Sequence, residues 1–234
     1  MEIVGRCLSV DQFREYLAGL PGLARTYNTV YVHHTTHDSH APWLGEKSIQ
    51  GLKAYYESLG WSSGPHLFIA PEGIWLFTPL TQDGTGVTGH NWHSRHVEIV
   101  GNFMDHLPEG AVLSNALAAI GELLRVAQLS TGTGLRFHGM DEPTECPGKA
   151  LKSSWVWFTG LITRYINNEH RPLPRDETTT NVTELVRKAV WWSEELVRQM
   201  KDASEGGDIS YADTIALDMV AMMKRLQALL KETS

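Results

Sequence analysis

Histidines cluster in two short stretches of the chain, and their spacing is the first sign of chemistry. Eleven histidines occur in 234 residues, and seven of them form two groups: His33, His34, His37 and His40, then His90, His93 and His96. Imidazole is a common ligand of zinc, and it also transfers protons near neutral pH. We expect only two or three histidines to contact a metal.

His33 stands at the end of a predicted strand. Residues 29–33 (TVYVH) are β-branched and aromatic, which predicts a β-strand. A histidine at the carboxyl end of a strand is held rigidly and points out of the sheet edge, a placement that suits a metal ligand. Taken alone, the pattern is more typical of a histidine that only forms hydrogen bonds.

His138 and Cys146 lie eight positions apart and are joined by a polar loop. Pro147 follows Cys146, and a helix predicted over 151–166 comes soon after. Since proline is favoured in the first helical turn, we expect Cys146 at a helix N-terminus, where the dipole favours the thiolate that binds zinc. The residues alone leave a buried, inert cysteine equally open.

Glu98 is a carboxylate within an apolar stretch, 97–100 (VEIV), that predicts a strand. A lone carboxylate in such a strand is unfavourable unless it is paired or functional. Two interpretations follow: a catalytic general base, or a glutamate at the rim of a site that pairs with Arg95.

Together these segments form an ordered set. It consists of His33-His-Thr, Gly60-Trp61 with 64–69 (GPHLFI), 72–75 (EGIW), 90–92 (HNW), 97–102 (VEIVGN), and His138 with 144–148 (TECPG). The set resembles the type 2 N-acetylmuramoyl-L-alanine amidases, which include phage amidase-lysozymes and animal peptidoglycan recognition proteins. The resemblance covers about residues 25–165.

The resemblance implies a catalytic zinc ion (Zn2+) held by His33, His138 and Cys146. His34 is then a neighbour of the metal rather than a ligand. Three protein ligands leave a fourth position for water, and zinc lowers the pKa of that water to about 7.

The resemblance also implies roles around the metal. Glu98 corresponds to a glutamate that takes the proton from the water, and Thr144 to a position beside the zinc where a hydroxyl can hydrogen-bond the oxyanion. Many members place a tyrosine where this chain has Pro65, so we expect either His90 or His93 to replace it or turnover to be weaker. The candidate substrate-binding residues are His34, His90, Asn91 and His93.

The elements that must position these residues follow from hydrophobic periodicity. Strands and helices alternate, with strands at 29–33, 66–70, 74–78 and 97–100 and helices at 10–20, 47–59, 111–129 and 151–166. Residues 71–73 (PEG) predict a hairpin between the second and third strands. The pattern predicts an α/β fold with a mixed β-sheet flanked by helices.

A second segment follows this predicted amidase domain, 1–170. Residues 171–180 (RPLPRDETTT) are polar and contain prolines, which predicts a linker. Two apolar stripes within 181–234 predict a C-terminal helical hairpin. Because so short a hairpin buries little surface by itself, we expect it to pack on the first domain or on a second copy, which leaves a homodimer open.

Charge and composition exclude several classes of function. The formal net charge is -7, whereas nucleic-acid binding calls for clustered Lys and Arg. No uncharged apolar stretch of about 18 residues occurs, so no membrane span is expected.

Residues 1–10 lack a signal pattern, so we expect synthesis in the cytoplasm and action on the cell wall after release or delivery. Two cysteines, Cys7 and Cys146, are too few for a disulfide framework.

The expected reaction is zinc-assisted hydrolysis of the amide between the lactyl group of N-acetylmuramic acid and L-alanine. The expected partners are peptidoglycan or muropeptides. A phage or prophage endolysin, a secreted effector and a recycling enzyme that acts on soluble fragments would each fit. The alternative is a peptidoglycan recognition module without activity; Cys146 favours the enzyme and Pro65 keeps the alternative open. A zinc peptidase ranks last because no His-Glu-x-x-His stretch occurs.

Overall fold

The computed structural model describes residues 1–36 and 42–167. Six strands lie within these ranges: β1 Arg6–Leu8, β2 Thr29–His34, β3 Leu67–Ala70, β4 Gly73–Leu76, β5 Ser94–Ile99 and β6 Leu135–Phe137. Six α-helices accompany them: α1 Val10–Ala18, α2 Glu46–Ser58, α3 Gly110–Val126, α4 Thr131–Gly134, α5 Lys149–Ser153 and α6 Trp155–Ile166. The predicted linker and C-terminal hairpin, His37 and His40 lie outside the described residues.

The described strands form one mixed sheet in the order β1-β4-β3-β5-β2-β6. β2 lies between β5 and β6 and runs parallel to both, and β3 runs parallel to β5. β4 runs antiparallel to β3 and β1, so the predicted hairpin is confirmed. The predicted fold class, an α/β fold with a mixed sheet flanked by helices, is also confirmed.

The two faces of the sheet differ in character because alternate residues of a strand point to opposite sides. On one face, Val32 and Val97 belong to the main hydrophobic core, which includes residues of α1, α3 and α6. The opposite face carries His33 and Glu98 and a smaller apolar cluster that includes Ile49 of α2. The sheet therefore separates a dry core from a face that holds polar side chains.

The helices predicted from hydrophobic periodicity are present, except that one of them is divided in two. The helix predicted over 151–166 is divided into α5 and α6, because the N–H of Ser154 bonds the carbonyl of Leu151, three residues earlier, in place of the α-helical partner. The two strands β1 and β6, of three residues each, were not predicted, since so short a segment carries no periodic pattern. None of the described helices is both long enough and apolar enough to cross a membrane.

Glu122 of α3 joins three helices and is expected to be important for stability. Its side chain is 5% exposed and accepts hydrogen bonds from Arg14 Nε at 2.7 Å and from Tyr165 Oη at 2.8 Å. Glu122→Ala should lower the free energy of unfolding by about 2–3 kcal/mol, because both donors lose their shared acceptor. Urea unfolding measures this change. The control Glu57→Ala, in an exposed ion pair, should change stability little; equal losses in both variants would contradict the prediction.

Candidate metal centre

Three side chains that can bind a metal meet at one edge of the sheet. His33 is at the carboxyl end of β2, and His138 follows β6 directly; parallel pairing of these strands brings the two together. The Nδ1 atoms of His33 and His138 lie 3.1 Å apart, and Cys146 Sγ lies 3.8 Å from His33 Nδ1. One ligand atom from each of the three residues lies within 4.8 Å of the others.

These separations fit a zinc ion. A tetrahedral zinc with Zn–N bonds of about 2.0–2.1 Å and a Zn–S bond of about 2.3 Å holds two nitrogens about 3.3 Å apart, and a nitrogen and a sulfur about 3.6 Å apart. The two contacts of His33 agree with these values to about 0.2 Å. Two imidazoles and one thiol are also a donor set that suits zinc and leaves a fourth position open.

The loop that carries Cys146 is held by hydrogen bonds between its two ends. The N–H of Gly139 donates to the carbonyl of Cys146 at 2.9 Å, and the N–H of Cys146 donates to Thr144 Oγ1 at 3.2 Å. Lys152 of α5 donates from Nζ to the carbonyl of Thr144 at 3.0 Å. A Cβ at Gly139 would lie 2.6 Å from the Thr144 oxygen, so the closed loop requires glycine there.

The surroundings of Cys146 differ from the sequence prediction. α5 begins at Lys149, with Gly148 as its N-cap, so Pro147 lies outside the first helical turn and Cys146 precedes the helix. Burial, together with the negative charge of Glu98, raises the pKa of the Cys146 thiol to about 12. The thiolate is therefore unfavourable at neutral pH unless a positive charge lies beside it, as a metal ion provides.

Glu98 lies beside the metal site on β5, where its Cα is paired in register with that of His33. Burial raises the pKa of this carboxyl to about 8. Its Oε2 is buried and has no hydrogen-bond partner among the described residues. A buried carboxylate oxygen without a partner is costly, and such atoms are found at sites that act on a ligand.

The alternative pairing of Glu98 with Arg95 is not formed. Arg95 is buried, and its guanidinium donates to the carbonyls of Leu80 at 2.8 Å and Ser94 at 2.6 Å, and to Thr26 Oγ1 at 2.6 Å. Residues 95 and 98 differ by an odd number of positions on one strand, so their side chains leave opposite faces of the sheet.

The candidate substrate-binding residues lie in different surroundings. His34 points to the face opposite His33, where its Nδ1 accepts the N–H of Phe103 at 3.2 Å. Asn91 Oδ1 accepts two backbone N–H groups at 2.9 Å, and His93 Nδ1 lies 3.1 Å from a backbone carbonyl oxygen. The ring centroid of His90 lies 6.1 Å from that of a tyrosine on β2. Three of these side chains thus form hydrogen bonds with backbone groups. The role of all four residues in substrate binding stays a prediction.

Two side chains that contact the metal-site imidazoles were not singled out from the sequence. His96 Nδ1 lies 3.2 Å from His33 Nε2, and Glu142 Oε2 lies 3.0 Å from His138 Nε2. Glu142 follows His138 by four residues, a spacing that places two side chains on one side of a helical turn. For His96, the available signal was its place on β5, two residues before Glu98 and thus on the same face.

Buried neutral histidines predict a loss of stability in acid. Burial lowers the pKa of His66 well below its ordinary 6.5 and lowers that of His96 to about 3. Below pH 6.5 the unfolded chain therefore binds more protons at these two histidines than the folded chain does. Stability should fall by up to about 1.4 kcal/mol per pH unit for each histidine, until the pH reaches the folded pKa.

Urea unfolding of the metal-free protein at pH 7 and pH 5 checks this expectation. His66→Gln should reduce the difference between the two pH values, since it removes one of the groups. A difference between the two pH values that is as large in His66→Gln as in the wild type would show that this imidazole does not titrate as described.

A large part of the chain matches a known protein family. Residues 23–149, which are more than half of the chain and include the three metal-site residues, match the family described as N-acetylmuramoyl-L-alanine amidase. No curated protein matches the chain.

Several solved structures are similar to part of this chain. Drosophila PGRP-LB is 20% identical, with a TM-score of 0.50 over 56% of this chain and 81% of that chain. Drosophila peptidoglycan recognition protein (PGRP)-SA is 23% identical, with a TM-score of 0.48 over 58% and 84%. The endolysin N-acetylmuramoyl-L-alanine amidase LysCS from Clostridium intestinale is 23% identical, with a TM-score of 0.45 over 54% and 78%. On the match over residues 23–149, the chain belongs to the N-acetylmuramoyl-L-alanine amidase family.

Proposed function

We propose that this protein is a zinc-dependent amidase that hydrolyses the amide between the lactyl group of N-acetylmuramic acid and L-alanine in peptidoglycan. Family membership supports action on, or recognition of, peptidoglycan. The observation that carries the enzymatic proposal is the convergence of His33, His138 and Cys146 beside Glu98, whose buried Oε2 has no hydrogen-bond partner among the described residues. A module that only binds its ligand has no need of either feature.

Nδ1 of His33, Nδ1 of His138 and Sγ of Cys146 would hold the metal. When bound, zinc supplies a Lewis acid that activates water and polarises the substrate carbonyl. The protein contributes a fixed set of ligands, one buried and two half-buried, two of which stand at the ends of neighbouring parallel strands. Ligands fixed in this way would hold the ion in one place relative to a bound substrate.

Glu98 is the proposed general base. Its Oε2 accepts the proton of the attacking water and then delivers it to the departing amine of L-alanine. Burial raises the pKa of Glu98 to about 8, so its carboxylate is a stronger base than that of an exposed glutamate. A cation held beside it favours the ionised form that the first proton transfer requires.

Thr144 is proposed to stabilise the negative charge that develops on the substrate oxygen. Its Oγ1 accepts the N–H of Cys146 at 3.2 Å, so the hydroxyl proton is available for donation. The carbonyl of Thr144 is held by Lys152 Nζ at 3.0 Å, which fixes the residue close to the metal ligand. A donor already in place costs no reorganisation when the charge appears.

A digest of purified sacculi tests the proposed reaction. The zinc-loaded protein should release new amino termini of L-alanine from the wall, detected by end-group labelling and mass spectrometry. Cleavage at another amide would point to a peptidase. Binding to sacculi without new termini would support the alternative, a recognition module, which the proline at position 65 favours because it offers no side-chain donor.

We further propose that residues 1–170 form the amidase domain, that 171–180 form a linker, and that 181–234 form a C-terminal helical hairpin, as in the sequence prediction. The protein would act on the cell wall after release or delivery, in the manner of an endolysin. A chain ending at residue 170 should retain zinc binding, and this is measured by metal analysis after gel filtration.

A further inference from the structure

We propose that His96 and Glu142 are positioning residues that set the protonation and orientation of the two metal-binding imidazoles. The inference rests on the proposed metal centre formed by His33, His138 and Cys146. Each imidazole directs Nδ1 at the metal position and Nε2 at one of these two side chains. The two partners differ in chemistry, since one is an imidazole and the other a carboxylate, but both present an acceptor.

The first partner, His96, belongs to a series of hydrogen bonds that runs along β5. His33 Nε2 lies 3.2 Å from His96 Nδ1, and His96 Nε2 lies 3.1 Å from Ser94 Oγ. Ser94 Oγ in turn lies 2.5 Å from the carbonyl oxygen of His90. All of these side chains leave the same face of the sheet, because residues 94 and 96 alternate with the core residues of the strand.

The backbone carbonyl at the end of this series of hydrogen bonds determines which atoms donate and which accept. A backbone carbonyl can only accept, so the hydroxyl of Ser94 donates its proton to His90 and offers a lone pair to His96. His96 therefore carries its proton on Nε2, and its Nδ1 is an acceptor. His33 must then carry its proton on Nε2, which leaves the lone pair of Nδ1 free for a metal.

The ring of His96 is held between two other rings. Its centroid lies 5.6 Å from that of Tyr31 and 5.8 Å from that of His66, with interplanar angles of 17° in both cases. A Cβ at Gly86 would lie 2.5 Å from His96 Nδ1, so the loop above the ring also requires glycine. The acceptor that faces His33 is thus fixed by packing on three sides.

The second partner reaches His138 through a single turn. The N–H of Glu142 donates to the carbonyl of His138 at 3.3 Å, and Glu142 Oε2 lies 3.0 Å from His138 Nε2. The same carboxylate accepts the backbone N–H of Thr88. Because an ionised carboxylate only accepts, His138 carries its proton on Nε2 and presents the lone pair of Nδ1 to the metal.

The expected consequence concerns metal affinity before it concerns catalysis. A neutral imidazole without a partner divides its proton between Nδ1 and Nε2, and the Nδ1-protonated form cannot bind at this site. Loss of such an outer partner weakens metal binding by about 10–100-fold. His96 and Glu142 contact the Nε2 atoms of the ligand imidazoles, so they would act on the metal through the ligands.

Zinc dissociation constants of the full chain, measured by competition with a chelator, test the inference. His96→Leu and Glu142→Leu should each raise the zinc dissociation constant by about 10–100-fold. His96→Asn, whose Oδ1 replaces the Nδ1 acceptor, should bind zinc within a few fold of the wild type. Glu142→Gln keeps one acceptor oxygen for two donors, His138 and the N–H of Thr88, so its zinc dissociation constant should lie between those of the wild type and Glu142→Leu. Glu145→Leu, on the exposed part of the same loop, is the matched control and should not change affinity.

The protonation of the ligands is read separately by nitrogen-15 NMR of the imidazole rings. In the zinc-loaded wild type, His33 and His138 should show protonated Nε2 with an exchange-protected hydrogen, and each leucine variant should lose the protection at its own partner. Unchanged affinity in both leucine variants, or an equal loss in the leucine and the conservative variants, would overturn the inference. A protein that shows the expected zinc dependence but releases no L-alanine termini would contradict the proposed function and leave this inference standing.

Discussion

Cys146→Ser should abolish tight zinc binding and amidase activity together. The thiolate supplies the negatively charged ligand of the site, whereas a serine hydroxyl stays protonated at neutral pH and binds zinc weakly. We expect the zinc dissociation constant to rise about 100-fold or more and the release of L-alanine termini to fall below about 1% of the wild type. Equilibrium metal analysis and the sacculus digest measure the two quantities.

Cys7→Ser is the matched control, since Cys7 is the other free cysteine and belongs to β1, outside the metal-site residues. This variant should retain zinc and activity. If Cys146→Ser bound zinc as tightly as Cys7→Ser, the proposed ligand set would be wrong. Retained binding of Cys146→Ser to sacculi would indicate that wall recognition is separable from the metal.

Glu98→Gln should separate catalysis from metal binding. The amide has the shape of the carboxylate but cannot take a proton from water, so kcat should fall by about 10²–10⁴-fold while the zinc dissociation constant changes little. The value of KM should also change little, because the proposed role of Glu98 arises in the proton-transfer steps. Kinetics on a soluble muropeptide, together with zinc analysis of the same sample, measure all three quantities.

Glu145→Gln provides a control at an exposed glutamate of the Cys146 loop, and it should leave kcat unchanged. Activity of Glu98→Gln within a few fold of the wild type would exclude Glu98 as the base. Loss of zinc in Glu98→Gln would instead assign this carboxylate to holding the metal.

Much of the fold follows from short-range patterns. The apolar and β-branched run before His33 predicts its strand, and the Pro-Glu-Gly stretch predicts the hairpin, because both depend on residues adjacent in the chain. The three metal-site residues were identified from an ordered set of motifs spread over more than a hundred residues. No single motif carried that assignment, and the structure brings the same three residues together.

The details of the site depend on contacts between distant segments. The sequence placed Cys146 at a helix N-terminus that would favour the thiolate, whereas burial and the neighbouring Glu98 raise its pKa to about 12. Glu98 had two open interpretations from local sequence. Pairing with Arg95 is not formed, because a strand sends residues an odd number apart to opposite faces and Arg95 is bound elsewhere.

The sequence by itself thus determined four of the six described strands and the types of ligand, since these depend on local propensity and on the chemistry of single side chains. Only the tertiary structure decided which partner each imidazole has. His96 meets His33 because β5 and β2 are neighbours in the sheet, and Glu142 meets His138 because the loop after β6 turns back on itself. Hydrogen bonds between ring nitrogens depend on distances of about 3 Å, which strand order and loop closure set and hydrophobic periodicity does not.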